Sequence, residues 1–198
     1  MMLYTTCSDP RAKATRDAIM RAYAELLSQK DRNYVSVNDL CDAGKISRTT
    51  FYRHYKTTAD VEADIEDIVL SKIKLLIDNT DLTDFIHGRK EFLNALNNAV
   101  ISDKDFYSKL LLANQRIDFL EKIRYMIKDR LKATLRSKTF IPPEQIDLIL
   151  TSTVAGRIAV YRQWILDGFS LSAEAVSELL ENISFFGFDH FLSVYSGE

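Results

Sequence analysis

The chain has 198 residues, 46% hydrophobic and 27% charged, with only six Gly and three Pro. That balance excludes a disordered polymer and favours long helices over many short strands. No stretch reaches the length of uninterrupted apolar residues that a membrane-spanning helix needs, and two cysteines, Cys7 and Cys41, make neither a disulfide framework nor a metal site. The expectation is a reduced, cytoplasmic protein with no membrane segment and no cofactor. The net charge of −2 conceals an asymmetry: residues 1–56 hold ten Lys or Arg against six Asp or Glu, and the remainder sixteen against twenty-two. A basic head on an acidic body points to a polyanionic partner for the head.

Residues 11–29, RAKATRDAIMRAYAELLSQ, place Ala18, Ile19, Ala22, Leu26 and Leu27 on one helical face. Arg11, Lys13 and Arg16 crowd its first turn, the end that favours anions, so phosphate is the natural reason for them. In KDRNYVSVNDLCDAGK, Tyr34, Val35 and Val37 serve as apolar anchors. Ser36 caps a short helix from Val37 to about Ala43, with Val37, Leu40 and Cys41 facing inward. Gly44 and Lys45 turn the chain, and Ser47 caps a second short helix, Arg48 to Tyr55. Helix, short helix, tight turn, short helix is the outline of a helix-turn-helix.

From Thr57 or Thr58 a longer amphipathic helix runs to Asp78, carrying Val61, Ile65, Ile68, Val69, Ile73, Leu76 and Ile77 inward. Further helices are expected over Leu82–Val100, Lys104–Ala113, Ile117–Leu135, Glu144–Leu166 and Ala173–Leu192, with Pro142-Pro143 and Asp167-Gly168 as breaks. No alternating strand pattern occurs. The fold class is all-α.

Within Arg48–Lys56, RTTFYRHYK, the side chains divide into two surfaces. Phe51 and Tyr55, four apart, share the inward arc, with Phe51 seated against Ile19, Leu40 and Val61. Arg48, Thr49 and Thr50 stand near the helix start, where base edges or phosphates of a major groove come within reach. Arg53 and Lys56 supply charge. His54, His87 and His190 lack metal-ligand spacing.

Residues 11 to about 70 resemble the DNA-binding domain of TetR/AcrR-type transcriptional regulators. The resemblance is carried by the basic first helix, the stretch VSVNDLCDAGKIS, the segment RTTFYRHYK and the long helix after it. It implies a homeodomain-like helix-turn-helix domain over residues 1–56 and a helical effector-binding and dimerisation domain over 57–198. It also implies that Tyr52, His54 and Lys56 are phosphate clamps. The DNA-facing set is then Lys13, Ser36, Ser47, Arg48, Thr49, Thr50, Tyr52, Arg53, His54, Lys56 and Thr58. Two positions depart from the family pattern. Lys45 stands where a Gly usually supplies positive φ, so either Lys45 adopts that conformation or the turn shifts by one residue. Thr58 stands where a Lys usually meets phosphate.

In the C-terminal half, Ser152, Ala155, Gly156 and Ala159 form a small-residue stripe that lets another helix approach. The last helix offers Leu179, Ile183 and Phe186. Together with the family habit, these point to a homodimer, which sets two recognition helices about 34–36 Å apart, or a multiple, on a near-palindromic operator. An effector pocket among the middle helices would draw on Phe85, His87, Phe92, Phe106, Tyr107, Phe119 and Tyr125. The expected protein is a dimeric DNA-binding regulator, a repressor, with a possible small-molecule effector. The alternative is a helical interaction protein of the same fold without DNA binding. An enzyme is not expected, for the chain lacks a nucleophile–base pair, a Gly-rich phosphate loop and a carboxylate pair at useful spacing.

Overall fold

The computed structural model describes residues 9–79, 90–112 and 117–184, and every regular element among them is helical. Helix α1 covers Pro10–Gln29 and starts where the Asp9 side chain accepts from the Arg11 N–H, with Pro10 at a position that needs no donor. Its buried side is Ile19, Met20, Ala22, Tyr23, Ala24 and Leu27. A single 3-10 turn, Arg32–Tyr34, then leads into α2, Val37–Gly44. Val35 takes the core position, which sends its neighbour Tyr34 outward at 75% exposure; Tyr34 is therefore not the anchor expected of it.

Helix α2 opens on a reciprocal cap: Ser36 Oγ accepts from the Asp39 N–H, and the Asp39 carboxylate accepts from the Ser36 N–H at 2.8 Å. It closes on Lys45, which sits in the left-handed region at φ 51°, ψ 44°. Of the two turn geometries open to the sequence, the chain uses the one that strains Lys45. Gly44 stays helical, where a Cβ would stand at ordinary contact distance, 3.6 Å, from the Ala22 Cβ of α1.

Helix α3, Arg48–His54, is capped by Ser47, whose Oγ accepts from the Thr50 N–H at 3.1 Å. It ends one residue earlier than the apolar spacing suggested. Tyr55 already has extended backbone, φ −136°, while its N–H still closes the last turn on the Phe51 carbonyl at 3.0 Å. Two residues on, Thr57 caps α4, Thr58–Asp78, and the Asp60 carboxylate collects the N–H groups of Lys56 and Thr57. The three caps thus fix the path through the turn and out of α3.

The body consists of α5 (Lys90–Ile101), α6 (Lys104–Leu112), α7 (Ile117–Lys138), α8 (Pro143–Leu166) and α9 (Ala173–Ser184). Helix α7 packs along α8, α5 on α9, and α6 on both α8 and α1. Helix α4 packs on α1 and also on α5 and α7, so it belongs to the core of the head and of the body. Ile19, Leu40, Phe51 and Val61 are all fully buried in one hydrophobic cluster with Leu131, Leu135, Ile146 and Val154 of the body.

A left-handed non-Gly residue costs roughly 1–2 kcal/mol, and a new Gly returns part of that through unfolded-chain entropy. Lys45→Gly is therefore expected to stabilise the protein by roughly 0.5–1 kcal/mol, read as a rise in melting temperature of about 2 °C. A fall would show that the turn does not strain Lys45.

Candidate nucleic-acid interface

Helix α3 turns one side to the core and the other to solvent. Phe51 is fully buried and Tyr55 nearly so, their ring centroids 6.0 Å apart, while Tyr52 meets the edge of Phe51 at 5.5 Å and remains 50% exposed. Arg48, Thr49, Arg53 and Lys56 are exposed, and Thr50 is half-buried. The Arg48 guanidinium lies over the Tyr52 ring at 5.9 Å, and its Nη2 donates to Tyr52 Oη at 3.4 Å. Arg48 and Tyr52 thus form one preorganised unit, a cation and a phenol displayed side by side. The last turn of α3 carries Arg53 and His54 as its basic residues and no acid stands in its first turn.

The remaining expected contacts divide by what the fold has done with them. Ser36 and Ser47 are exposed at helix starts, but both hydroxyls are engaged as caps. Thr58 is half-buried in the first turn of α4, behind the Thr57 cap. His54 is half-buried and its Nε2 is enclosed without a partner. Lys13 is exposed, yet it lines a cleft of about 450 Å³ with Asp17, Arg21, Ile68, Lys72 and Phe106, and no residue of α2 or α3 lines that cleft. The structure therefore gathers Arg48, Thr49, Thr50, Tyr52, Arg53 and Lys56 on one short segment and sets Lys13 apart from them.

Arg16, expected to face phosphate, is committed elsewhere. Its Nη2 donates to both oxygens of Asp64 at 2.6 Å, and Tyr55 Oη donates to the same carboxylate at 2.6 Å. The Asp64 hydrogen bond holds the Arg16 guanidinium well above its usual range. Burial first, and then that bond to Asp64, raises the Tyr55 phenol above its ordinary value, so it stays a donor. The sequence reading missed Asp64, although a signal existed. Arg16 falls on the i, i+3, i+4, i+7 stripe with Ile19, Met20 and Tyr23, and Asp64 falls between Val61, Ile65 and Ile68 on α4. Opposite charges on two facing apolar stripes are a pair waiting to be matched.

In the body, an apolar cavity of about 120 Å³ lies between α4, α5, α6, α7 and α8. Of the expected wall residues Tyr107 and Phe119 line it. Phe92 is instead buried in the core outside the lining, Phe106 borders the cleft near Lys13, and Tyr125 is 73% exposed. Phe85 and His87 lie outside the described residues. On the outer side of α8, Ser152, Gly156 and Ala159 are exposed and Ala155 half-buried; a Cβ on Gly156 would meet nothing within 4 Å. Leu148, Leu179 and Ile183 are exposed at 73%, 44% and 59%. Phe186 lies outside the described residues.

Residues 89–185 match a TetR-type family model described as a transcriptional regulator C-terminal region. No curated protein matches the sequence. Among solved structures, the dihydroxyacetone kinase operon activator DhaS is 19% identical, with a TM-score of 0.60 over 89% of this chain and 97% of that one. A putative TetR-family transcriptional regulator from Syntrophomonas wolfei is 16% identical, at a TM-score of 0.64 over 87% and 93%. NalD, the secondary repressor of the MexAB-OprM multidrug efflux pump in Pseudomonas aeruginosa, is also 16% identical, at 0.63 over 90% and 98%. At such identities the structural likeness establishes the fold, which is that of TetR-type regulators, head and body together. Together with the family match over the C-terminal region, residues 89–185, it makes the chain similar to TetR-type transcriptional regulators in fold and in the sequence of its body.

Burial, followed by the charges of Arg53 and Arg16, pushes the His54 imidazole below its usual range. A lowered histidine favours the fold while neutral. Below the ordinary histidine value of about 6.5 the unfolded chain binds more protons, so stability falls as pH drops. Denaturation midpoints of the protein and of His54→Gln are expected to diverge from about pH 7 down to pH 5, the variant losing less. Parallel curves would contradict the burial of Nε2.

Proposed function

We propose that the chain is a homodimeric DNA-binding transcriptional repressor that reads a near-palindromic operator through α3 and responds to a small-molecule effector held in the body. The observation that carries this reading is the segment Arg48–Lys56. Its apolar rings are sunk in the core, and its cationic and hydroxyl groups are left on one outward surface, held by the Ser47 and Thr57 caps. Arg48, Thr49 and Thr50 at the N-terminal end of α3 approach base edges, where Arg suits guanine and a Thr methyl suits thymine. Tyr52, Arg53 and Lys56 grip phosphates and set the register. The division of labour follows the chain: residues 1–56 bind DNA, and residues 57–198 dimerise and take the effector.

The exposed face of α8 and α9 supports dimerisation. Leu148, Leu179 and Ile183 present large apolar groups beside a stripe small enough for close helix approach. Pairing this face with its two-fold copy gives the two-fold spacing that a palindromic operator requires. The likeness to an operon activator favours a second reading, in which the same DNA contacts serve activation; a reporter driven by the bound promoter separates the two by the sign of its response. Action on chromosomal DNA places the protein in the cytoplasm.

The test is a shift assay with the DNA upstream of the protein's own gene across a salt series. Affinity is expected to fall steeply with salt. Lys56→Ala and Tyr52→Ala should weaken specific and non-specific DNA alike, the Lys change reducing the salt slope by about one. Ile183→Glu should give a folded monomer with weakened operator binding. Absence of any binding at low salt would overturn the reading in favour of a helical interaction protein.

A further inference from the structure

The body cavity has an unusual lining. Its walls are aliphatic and aromatic, from Val69, Ile73 and Leu76 across to Ile123, Ile127 and Ile158, and among the described residues they include two cations, Lys72 and Arg162, but no carboxylate. Elsewhere in the body cations are typically answered by an acid. Lys109 meets Glu25 and Asp105, Lys122 meets Glu66, Lys128 and Lys132 share Asp147, and Lys74 and Arg130 share Asp78. Lys72 and Arg162 have no partner among the described residues. Lys72 is exposed and also borders Asp17 and Asp103 in the cleft beside α1, but within the lining of the cavity itself the two cations leave a local positive excess that an anion would offset.

Position sharpens the point. Val69 and Lys72 line both this cavity and the cleft beside α1, so the two spaces adjoin at α4. Lys72 is exposed and Arg162 half-buried, which places charge where the cavity meets solvent and hydrocarbon behind it. A cavity of about 120 Å³ is comparable to engineered apolar cavities that hold a benzene molecule. From this geometry we propose that the effector is a small amphiphilic anion. Its apolar group, about the bulk of a six-membered ring, fills the cavity, and its carboxylate faces Lys72 and Arg162. The proposal rests on the effector reading above and adds the chemical class.

Calorimetry on the full chain without DNA separates charge from bulk with three probes of one skeleton: phenylacetate, 2-phenylethanol and 2-phenylethylamine. Phenylacetate is expected to bind at least tenfold more tightly than the alcohol, and the amine to bind more weakly than either. Lys72→Met and Arg162→Met should each cost phenylacetate tenfold or more while leaving the alcohol unchanged; both positions are solvent-accessible, so the fold tolerates the change, as circular dichroism would verify. Ala99→Phe, which fills the cavity from α5, should abolish binding of all three. Equal affinity for acid and alcohol, or no binding of the acid by a protein that still shifts DNA, would overturn the proposal and leave the DNA reading standing. Binding of phenylacetate by a protein that never shifts DNA would uphold the site and defeat the regulator reading.

Discussion

The placement of the segment Arg48–Tyr55 depends on one carboxylate. Asp64 accepts from Arg16 of α1 and from Tyr55 at the end of α3, all within 2.6 Å, at a place where Asp64 is only 14% exposed. Charge-assisted hydrogen bonds in a partly desolvated site are stronger than their surface counterparts. Each also adds direction, which the hydrophobic contacts of Phe51 lack. Phe51 holds α3 against the core, whereas Tyr55 and Arg16 fix how far it is rotated and where the chain leaves it.

The same helix that carries Asp64 forms a wall of the body cavity. Lys72 follows Asp64 by eight positions of uninterrupted helix, about 12 Å of rise. A small ligand set against Lys72 would therefore touch the same rigid helix that holds α3 through the Tyr55–Asp64 hydrogen bond. Helix α1 offers a parallel connection, with Arg21 paired to Asp103 and stacked near Phe106, and Glu25 paired to Lys109. Head and body are joined by packed helices and ion pairs on two sides.

Much of this was legible in the sequence, and for identifiable reasons. Caps are local: Ser36, Ser47 and Thr57 announce themselves through a hydroxyl beside an acid or an apolar run, and all three cap the helices that follow. The inward placement of Phe51 and Tyr55 followed from their spacing. What failed was long-range. Arg16 reads locally as a misplaced cation, and only the approach of α4, 48 residues away, converts it into half of an ion pair. Lys45 was ambiguous because its immediate neighbours do not fix which turn residue takes positive φ; the chain puts it on Lys45 and keeps Gly44 in α2. In the body, aromatic residues were a partial guide to the cavity, which Tyr107 and Phe119 do line. Phe92, Phe106 and Tyr125 sit elsewhere, because periodicity shows which face is buried and not which buried face is incompletely filled.

The central claim is that Asp64 couples the end of the recognition segment to α4. A double-mutant cycle of Asp64→Asn with Tyr55→Phe, read by chemical denaturation, tests it directly. The account predicts a coupling energy of about 1–2 kcal/mol, with each single change destabilising and the pair costing less than the sum. Additivity within about 0.3 kcal/mol would contradict it, leaving Phe51 alone to seat α3.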